Sequence, residues 1–211
     1  SDCLVGSEMC IRDRSIFNKI MSKPIETIGI IKESRPDENR VPLVPEHIEN
    51  LKSKYPNLNI IVQPSKKRCF SDDEYKSKGA IINEDLSDCS IIFGVKEIDT
   101  GVLMNNKTYI FFSHTYKLNK ETLNNAQGTP GMDKKELFKS VLEKKIKLID
   151  YENIRDKNSS RYLGFGRFAG IVGCYNTLNL CLELFNKQPL ARAHRINSYE
   201  RLISNLKNLY F

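Results

Sequence analysis

Short apolar runs alternate along this chain with longer segments in which apolar residues recur at helical spacing. Five runs are four to six residues long and carry β-branched or aromatic side chains, which favours strands over helices. They lie at 28–31, 59–62, 90–95, 109–112 and 147–151. The run at 90–95 is apolar enough to be typical of a strand buried on both faces. Two further short strands are predicted at 80–82 and 162–165.

Helix start signals stand between the predicted strands. Pro45 occupies a position that suits the first turn of a helix, so a helix is predicted from there to about residue 54. Ser71 and Glu74 have the spacing of a capping box. They predict a short helix that ends at Gly79.

Two later helices are predicted from apolar periodicity. The first runs from about 134 to 144 and would turn Leu137, Val141 and Leu142 toward the core. The second, at 168–185, is the longest helical stretch of the chain and carries an apolar stripe.

The alternation of strands and helices predicts an α/β fold with an open, mostly parallel, Rossmann-like sheet flanked by helices. Residues 1–20 show neither pattern and are predicted to be a non-native or disordered leader. The substrate domain is predicted to cover 21–166. Residues 167–211 are predicted to form a connecting helix and a tail.

Composition narrows the classes of function. The formal charge is +7, but the basic residues are spread out and no helix-turn-helix, zinc-finger or ribonucleoprotein signature occurs, so no nucleic-acid partner is expected. No apolar run reaches the ~18 residues of a membrane span, so no membrane partner is expected. The six cysteines include no CxxC pair, which favours a reducing compartment, the cytoplasm, over disulfides or a metal site.

Three polar strings follow predicted strands, and each offers a group suited to amino-acid chemistry. Arg40 follows the first strand, Lys96 and Glu97 follow the run at 90–95, and His114 follows the run at 109–112. The carboxyl ends of parallel strands share one crevice, so these side chains are predicted to meet there. Taken singly, each also has a plainer interpretation, as a surface residue or as a strand-end histidine.

The string GFGRFAG at 164–170 fits the G-x-G-x-x-A pattern of a dinucleotide-binding turn. That pattern also requires a strand ending in an acidic residue about 20 residues later, where this chain reads QPLARAHR. Close packing of a strand on a helix at small residues is therefore the favoured interpretation, and cofactor binding is the alternative.

Several strings together resemble one superfamily. KESRPDENRVPLVP at 32–45 is similar to the opening K-E…E-x-R-V-x-L-T-P motif of the alanine dehydrogenase, transhydrogenase and saccharopine dehydrogenase superfamily, with Val44 in place of threonine. FSHTYK at 112–117, DYE at 150–152 and FGRFAG at 165–170 resemble F-S-H-T-x-K, D-Y-E and F-G-x-Y-A-G of the lysine-forming saccharopine dehydrogenases, or lysine–ketoglutarate reductases. The resemblance implies the N-terminal domain of such an enzyme.

The resemblance also implies catalytic roles. Lys96 would act as the acid/base that handles the amine proton around hydride transfer. His114 would act as the second acid/base while an imine forms or hydrolyses. Glu97 and Glu152 would tune the pKa values of these groups. Two acid/base groups in different environments suit imine chemistry, which requires both proton donation and proton removal.

Substrate and cofactor contacts follow from the same resemblance. Arg40 and Arg161 would bind carboxylates of an amino-acid or 2-oxo-acid substrate. The cofactor would be NAD or NADP, bound mainly by a further domain. No glycine fingerprint for that domain is visible before Phe211, so the sequence is expected to be a fragment that is inactive alone. An oligomer is compatible with the sequence.

The expected reaction is the reversible, NAD(P)-dependent conversion of lysine and 2-oxoglutarate to saccharopine. Two alternatives stay open at this point. One is an oxidative deaminase similar to alanine dehydrogenase, because such enzymes match the first motif and the Lys/His pair. The other is a non-catalytic amino-acid-binding module.

Overall fold

The computed structural model describes residues 27–115, 134–196 and 198–208. They fall into two units, and the described residues of these units lie within 27–163 and 164–208. The leader predicted at 1–20 lies outside the described residues. All strands of the sheet and the candidate site residues belong to the first unit.

Six strands form one open sheet in the first unit. The strands are β1 (Thr27–Ile30), β2 (Asn59–Val62), β3 (Ile81–Ile82), β4 (Ile91–Phe93), β5 (Thr108–Phe111) and β6 (Lys147–Asp150). Their order is β3-β2-β1-β4-β5-β6, and every neighbouring pair is parallel. The predicted α/β fold with a mostly parallel sheet is confirmed, and the described pairs are parallel throughout.

The strand order reverses direction between β1 and β4. The chain moves outward from β1 to β3, returns to pair β4 with the free side of β1, and then continues outward to β6. Gly29 lies in the middle of β1, where an added Cβ would stand 3.0 Å from the Cys89 sulfur and 3.2 Å from a Leu86 methyl carbon. A larger residue there would push against the core beside this central strand.

The helices of the first unit follow the predicted start signals. They are α1 (Pro45–Lys54), α2 (Asp72–Ser77) and α3 (Lys134–Glu143). The capping box is confirmed, because Ser71 Oγ accepts from the Glu74 amide at 3.2 Å and a Glu74 carboxylate oxygen accepts from the Ser71 amide at 2.6 Å. Short 3₁₀ helices lie at Thr100–Val102 and Tyr151–Asn153.

Helix α3 packs on the sheet through a narrower face than the sequence predicts. Leu137 and Val141 are buried and join the core that contains Ile92, Tyr109 and Phe111. The prediction for the third apolar residue of α3 was wrong, because Leu142 is 62% exposed. It follows Val141 directly, so it lies about 100° further round the helix and away from the core.

The second unit contains α4 (Gly166–Leu184), a 3₁₀ helix at Ala193–Arg195, and α5 (Tyr199–Lys207). Asn179 is buried on α4 and bonds the Leu190 backbone, accepting at 2.7 Å and donating at 3.1 Å. The strand predicted at 162–165 was wrong, since this segment has no sheet partner and the nearby pairing is one bridge from Arg155 to Arg161. Among the described residues, no helix is long and apolar enough to cross a bilayer.

The central strands should carry most of the stability of the sheet. Ile92→Ala in β4 removes a side chain with no exposed surface, and we expect it to lower the free energy of unfolding by about 2–5 kcal/mol. Ile81→Ala in the edge strand β3 makes the same change where the residue is 49% exposed, with an expected loss of about 1 kcal/mol. Urea denaturation followed by circular dichroism measures both, and equal losses would contradict the assignment of the core.

Candidate active site

The candidate residues follow strands that end at one edge of the sheet. Arg40 lies in the segment after β1, Lys96 and Glu97 follow β4, and His114 follows β5. Because all these strands are parallel, their carboxyl ends point the same way. The site therefore lies around the reversal of strand order between β1 and β4, the position at which parallel α/β sheets open a crevice.

His114 and Glu97 form a direct pair between the loops after β5 and β4. His114 Nδ1 lies 2.7 Å from Glu97 Oε1, and the two side chains are only 19% and 11% exposed. Burial opposes ionisation of Glu97, but the hydrogen bond from His114 and nearby charges outweigh it, so the pKa of Glu97 lies below its ordinary value. An ionised carboxylate can only accept, so Nδ1–H is the donor of this hydrogen bond.

The His114 backbone is held by a buried acid at the end of β6. His114 has a φ of 54°, in the left-handed region that non-glycine residues seldom adopt. Asp150 Oδ2 accepts the amides of Ser113 and His114, both at 3.2 Å, and the Ser113 hydroxyl at 2.5 Å. The Phe112 ring stacks on the imidazole with centroids 6.5 Å apart. These contacts fix where the imidazole stands.

Lys96 occupies the loop after β4, and its backbone is held by an acid from the loop after β1. Glu33 accepts the Val95 amide at 2.7 Å through one oxygen and the Lys96 amide at 3.0 Å through the other. The Lys96 side chain is partly buried, and its charge acts on the carboxylates of Glu38 and Glu97. Its surroundings are therefore acidic.

Arg40 is paired with Glu38, two residues before it. Its Nε and Nη2 donate to the two carboxylate oxygens at 2.7 and 2.5 Å, and its amide donates at 3.0 Å. Burial opposes ionisation of Glu38, yet the hydrogen bonds from Arg40 prevail and lower the pKa of that carboxyl group. A two-point pair of this kind fixes the plane of the guanidinium group.

Arg161 is paired in a similar way with Glu152. Arg161 Nη1 lies 3.1 Å from Glu152 Oε1, with Glu152 nearly enclosed and Arg161 42% exposed. The Glu152 amide donates to Asp150 Oδ1 at 2.9 Å, which ties this pair to the acid that holds the His114 backbone. The structure thus links Glu152 and Arg161 to the end of β6.

Sequence reasoning missed three acids that organise this edge. Glu33, Glu38 and Asp150 were not assigned a role, although each lies within a string that drew attention. A position just beyond an apolar strand was the available signal for Glu33 and Asp150, and the spacing of two residues before Arg40 was the signal for Glu38. Their partners, up to 63 residues away, could not be read from the sequence.

The glycine-rich string at 164–170 does not make the packing contact that was predicted for it. An added Cβ at Gly164, Gly166 or Gly170 would meet no atom within 4 Å in the described structure, so close packing is not what requires glycine there. No strand of the sheet leads into α4, as a dinucleotide-binding turn requires. The described string therefore lacks the strand-to-helix turn of the dinucleotide pattern, which was the alternative interpretation. The described residues also include no group of three or more His, Cys, Asp or Glu side chains arranged to hold a metal ion.

Comparison with known proteins finds one family over most of the chain. Residues 29–172 match the family model of the alanine dehydrogenase/PNT N-terminal domain. Mouse alpha-aminoadipic semialdehyde synthase, mitochondrial, is 37% identical over 142 residues, which cover 67% of this chain and 14% of that protein. The lysine-forming, NAD(+)-dependent saccharopine dehydrogenase of Candida glabrata is 30% identical over 155 residues, covering 70% of this chain and 37% of that one.

A solved structure shares the fold. An L-alanine dehydrogenase superposes with a TM-score of 0.50 at 20% identity, covering 64% of this chain and 34% of that one. At this identity the likeness concerns the fold alone. The chain spans only about one-seventh of the length of the mouse relative.

Asp150 should be more important for stability than Asp156, a partly buried acid whose side chain also accepts backbone amides. Asp150→Asn places an amide NH₂ opposite groups that donate to both carboxylate oxygens, and we expect it to lower the free energy of unfolding by about 1–3 kcal/mol. Asp156→Asn is the matched control, because Asp156 Oδ1 alone accepts the amides of Asn158 and Ser160 and asparagine preserves that oxygen. Urea denaturation at neutral pH measures both, and a comparable loss in the control would refute this role of Asp150.

Proposed function

Because this chain belongs to the family of the alanine dehydrogenase/PNT N-terminal domain, we propose that it supplies the substrate-binding and proton-transfer groups of an NAD(P)-dependent amino-acid dehydrogenase. One observation carries the proposal. Lys96 and the Glu97–His114 pair stand on adjacent loops where parallel strands end. An amine and an imidazole so placed provide two acid/base groups with different surroundings, as oxidation of an amine to an imine and its hydrolysis require.

The reaction we propose is the lysine-forming one. Saccharopine would be oxidised at the glutarate carbon that its secondary amine joins, and a nicotinamide cofactor held by a further domain would supply the hydride acceptor. Water then adds to the imine, and the adduct breaks down to lysine and 2-oxoglutarate. The printed name of the fungal relative supports this choice over alanine. The same sequence run backwards forms saccharopine.

Lys96 and His114 have distinct proton-transfer tasks in this proposal. Lys96 takes the proton from the substrate amine, so that the nitrogen lone pair assists loss of the hydride. His114 Nε2 removes a proton from the attacking water and returns it when the carbon–nitrogen bond breaks. Glu97 supports this exchange, since its carboxylate stabilises the imidazolium form through Nδ1.

Arg40 and Arg161 are the proposed contacts for substrate carboxylates. Saccharopine and 2-oxoglutarate each carry more than one carboxylate, so two guanidinium groups would set the direction in which the substrate lies. Both arginines are already oriented by a buried glutamate, Glu38 for one and Glu152 for the other. An oriented guanidinium loses less rotational freedom when substrate binds.

We place this activity in the cytoplasm, since the cysteines include no CxxC pair and the conditions implied are reducing. The printed name of the mouse relative gives the mitochondrion for that protein. Fractionation of source cells, with detection of the protein in each fraction, would separate the two compartments.

Substitution of the two acid/base groups tests the proposal in the full-length gene product. Lys96→Met and His114→Gln should each lower kcat about 100-fold or more, because general acid–base catalysis contributes that much. Lys139→Met and His194→Gln are matched controls at exposed positions and should leave kcat unchanged. Reduction of NAD(P) with saccharopine, and its oxidation with lysine plus 2-oxoglutarate, are followed by absorbance.

The substrate that the protein converts distinguishes the proposed reaction from the alternative reactions. Turnover with alanine but not with saccharopine would replace the lysine-forming reaction by oxidative deamination. Retention of kcat within a few-fold in both site variants would remove the assigned roles. Binding of an amino acid without any turnover by the wild-type protein would favour a non-catalytic module.

A further inference from the structure

Glu33 links the loop after β1 to the loop after β4. The strand order reverses between β1 and β4, so the segments that leave these neighbouring strands lead away from each other. Glu33 follows β1 and reaches across to the loop after β4, where it accepts the amides of Val95 and Lys96 at 2.7 and 3.0 Å. The bonded residues are 62 and 63 positions apart in sequence.

We propose that Glu33 is a positioning residue for Lys96, whose two carboxylate oxygens fix the backbone from which the lysine side chain extends into the site. The inference deepens the proposed function, since it takes the acid/base role of Lys96 from it. Glu33 itself touches no reacting atom. Its part is to hold the loop after β4 in the one place where the lysine amine meets the substrate.

The side-chain chemistry explains why a glutamate suits this task. An ionised carboxylate has two equivalent acceptors, and here each is bound to one of two successive amides. Glutamine of the same length has one acceptor, and its NH₂ group would face an amide donor. Aspartate keeps the charge but is one methylene shorter, so it falls about 1.5 Å short of the same amides.

The surroundings make the ionised form of Glu33 costly. Burial raises the pKa of Glu33 to about 7, although the two amides and the charge of Arg40 lower it, and the charge of Glu38 raises it further. From the end of β6, Tyr151 faces the same region, and burial together with the Glu33 charge raises the pKa of its phenol. The Tyr151 hydroxyl is buried and has no hydrogen-bond partner among the described residues.

The raised pKa gives stability and positioning opposite dependences on pH. The folded protein holds the Glu33 proton more tightly than the unfolded chain, so this group contributes stability below its ordinary pKa of 4.5 that is lost as pH rises to about 7. The ionised carboxylate that accepts both amides becomes the main form only above about pH 7. Burial of an ionised carboxylate at neutral pH does not suit a residue whose only role is stability. It does suit a residue that holds the Lys96 backbone at neutral and basic pH.

Hydrogen–deuterium exchange on the full-length protein tests the contact itself. In Glu33→Gln, the peptide that contains Val95 and Lys96 should exchange about 10-fold faster or more at pH 8, since hydrogen bonds to a charged acceptor are lost. Glu33→Asp, which keeps the charge but falls short of both amides, should also exchange faster than the wild type. Glu143→Gln, at an exposed helix position, is the matched control and should leave the exchange unchanged.

Stability and kinetics separate positioning from a structural role. Thermal unfolding at pH 8 should give a Tm for Glu33→Gln close to the wild-type Tm, because removal of a buried charge offsets the cost of an NH₂ group that faces an amide donor. Its kcat should fall about 10- to 100-fold with little change in the KM for the nucleotide, since a small displacement of an acid/base group impairs the chemical step. Protonation of Glu33 should add an acid-side step near pH 7 to the wild-type kcat profile, and Glu33→Gln should lack that step.

The outcomes distinguish this inference from the proposed function. Unchanged exchange at Val95 and Lys96 in Glu33→Gln would overturn the positioning role, even if the wild type oxidises saccharopine. A lower Tm at pH 8 with an unaltered kcat would also overturn it, in favour of a structural role. Faster exchange in Glu33→Gln would support the contact. If the wild-type protein also has no amino-acid-dependent activity, the proposed function would be overturned.

Discussion

The reversal of strand order between β1 and β4 is the constraint on which the rest of this structure depends. It places the ends of two neighbouring parallel strands side by side while their following segments diverge, and the resulting crevice receives side chains from separate parts of the chain. The backbone alone does not bridge such a crevice, because the strand hydrogen bonds end where the strands end. Polar side chains must take over, and the described structure uses buried carboxylates for this purpose.

The same balance between burial and hydrogen bonding applies to each buried acid. A carboxylate removed from water is unfavourable unless its oxygens accept strong hydrogen bonds. Glu38 and Glu152 meet this requirement with arginine partners, whereas Asp150 meets it mainly with backbone amides and the Ser113 hydroxyl. In each case the cost of burial is offset by bonds that also fix a neighbouring group. The bonds that compensate burial of these acids therefore also set the geometry of the candidate site.

The sequence predicted the parts of this structure that depend on local patterns. Apolar runs marked the strands, and the Ser71 capping box marked the start of α2, because burial and capping follow from neighbouring residues. Leu142 was misassigned because periodicity defines a helix face only to within one position. The acid and base side chains were visible as residue types, but the partners of Glu33 and Asp150 were not. Those contacts arise from strand order, which no short segment of sequence encodes.

The central position of β1 has a consequence for the order in which this domain is built during translation. β1 is the first described strand to leave the ribosome, yet one of its two neighbours, β4, is made only after β2 and β3. Its apolar side chains must wait for that partner, and pairings between residues so distant in sequence form slowly. A nascent chain thus leaves one side of β1, the future centre of the sheet, unpaired until β4 has been made. The contacts between the loops after β1 and β4, including those of Glu33, also require β4 to be present.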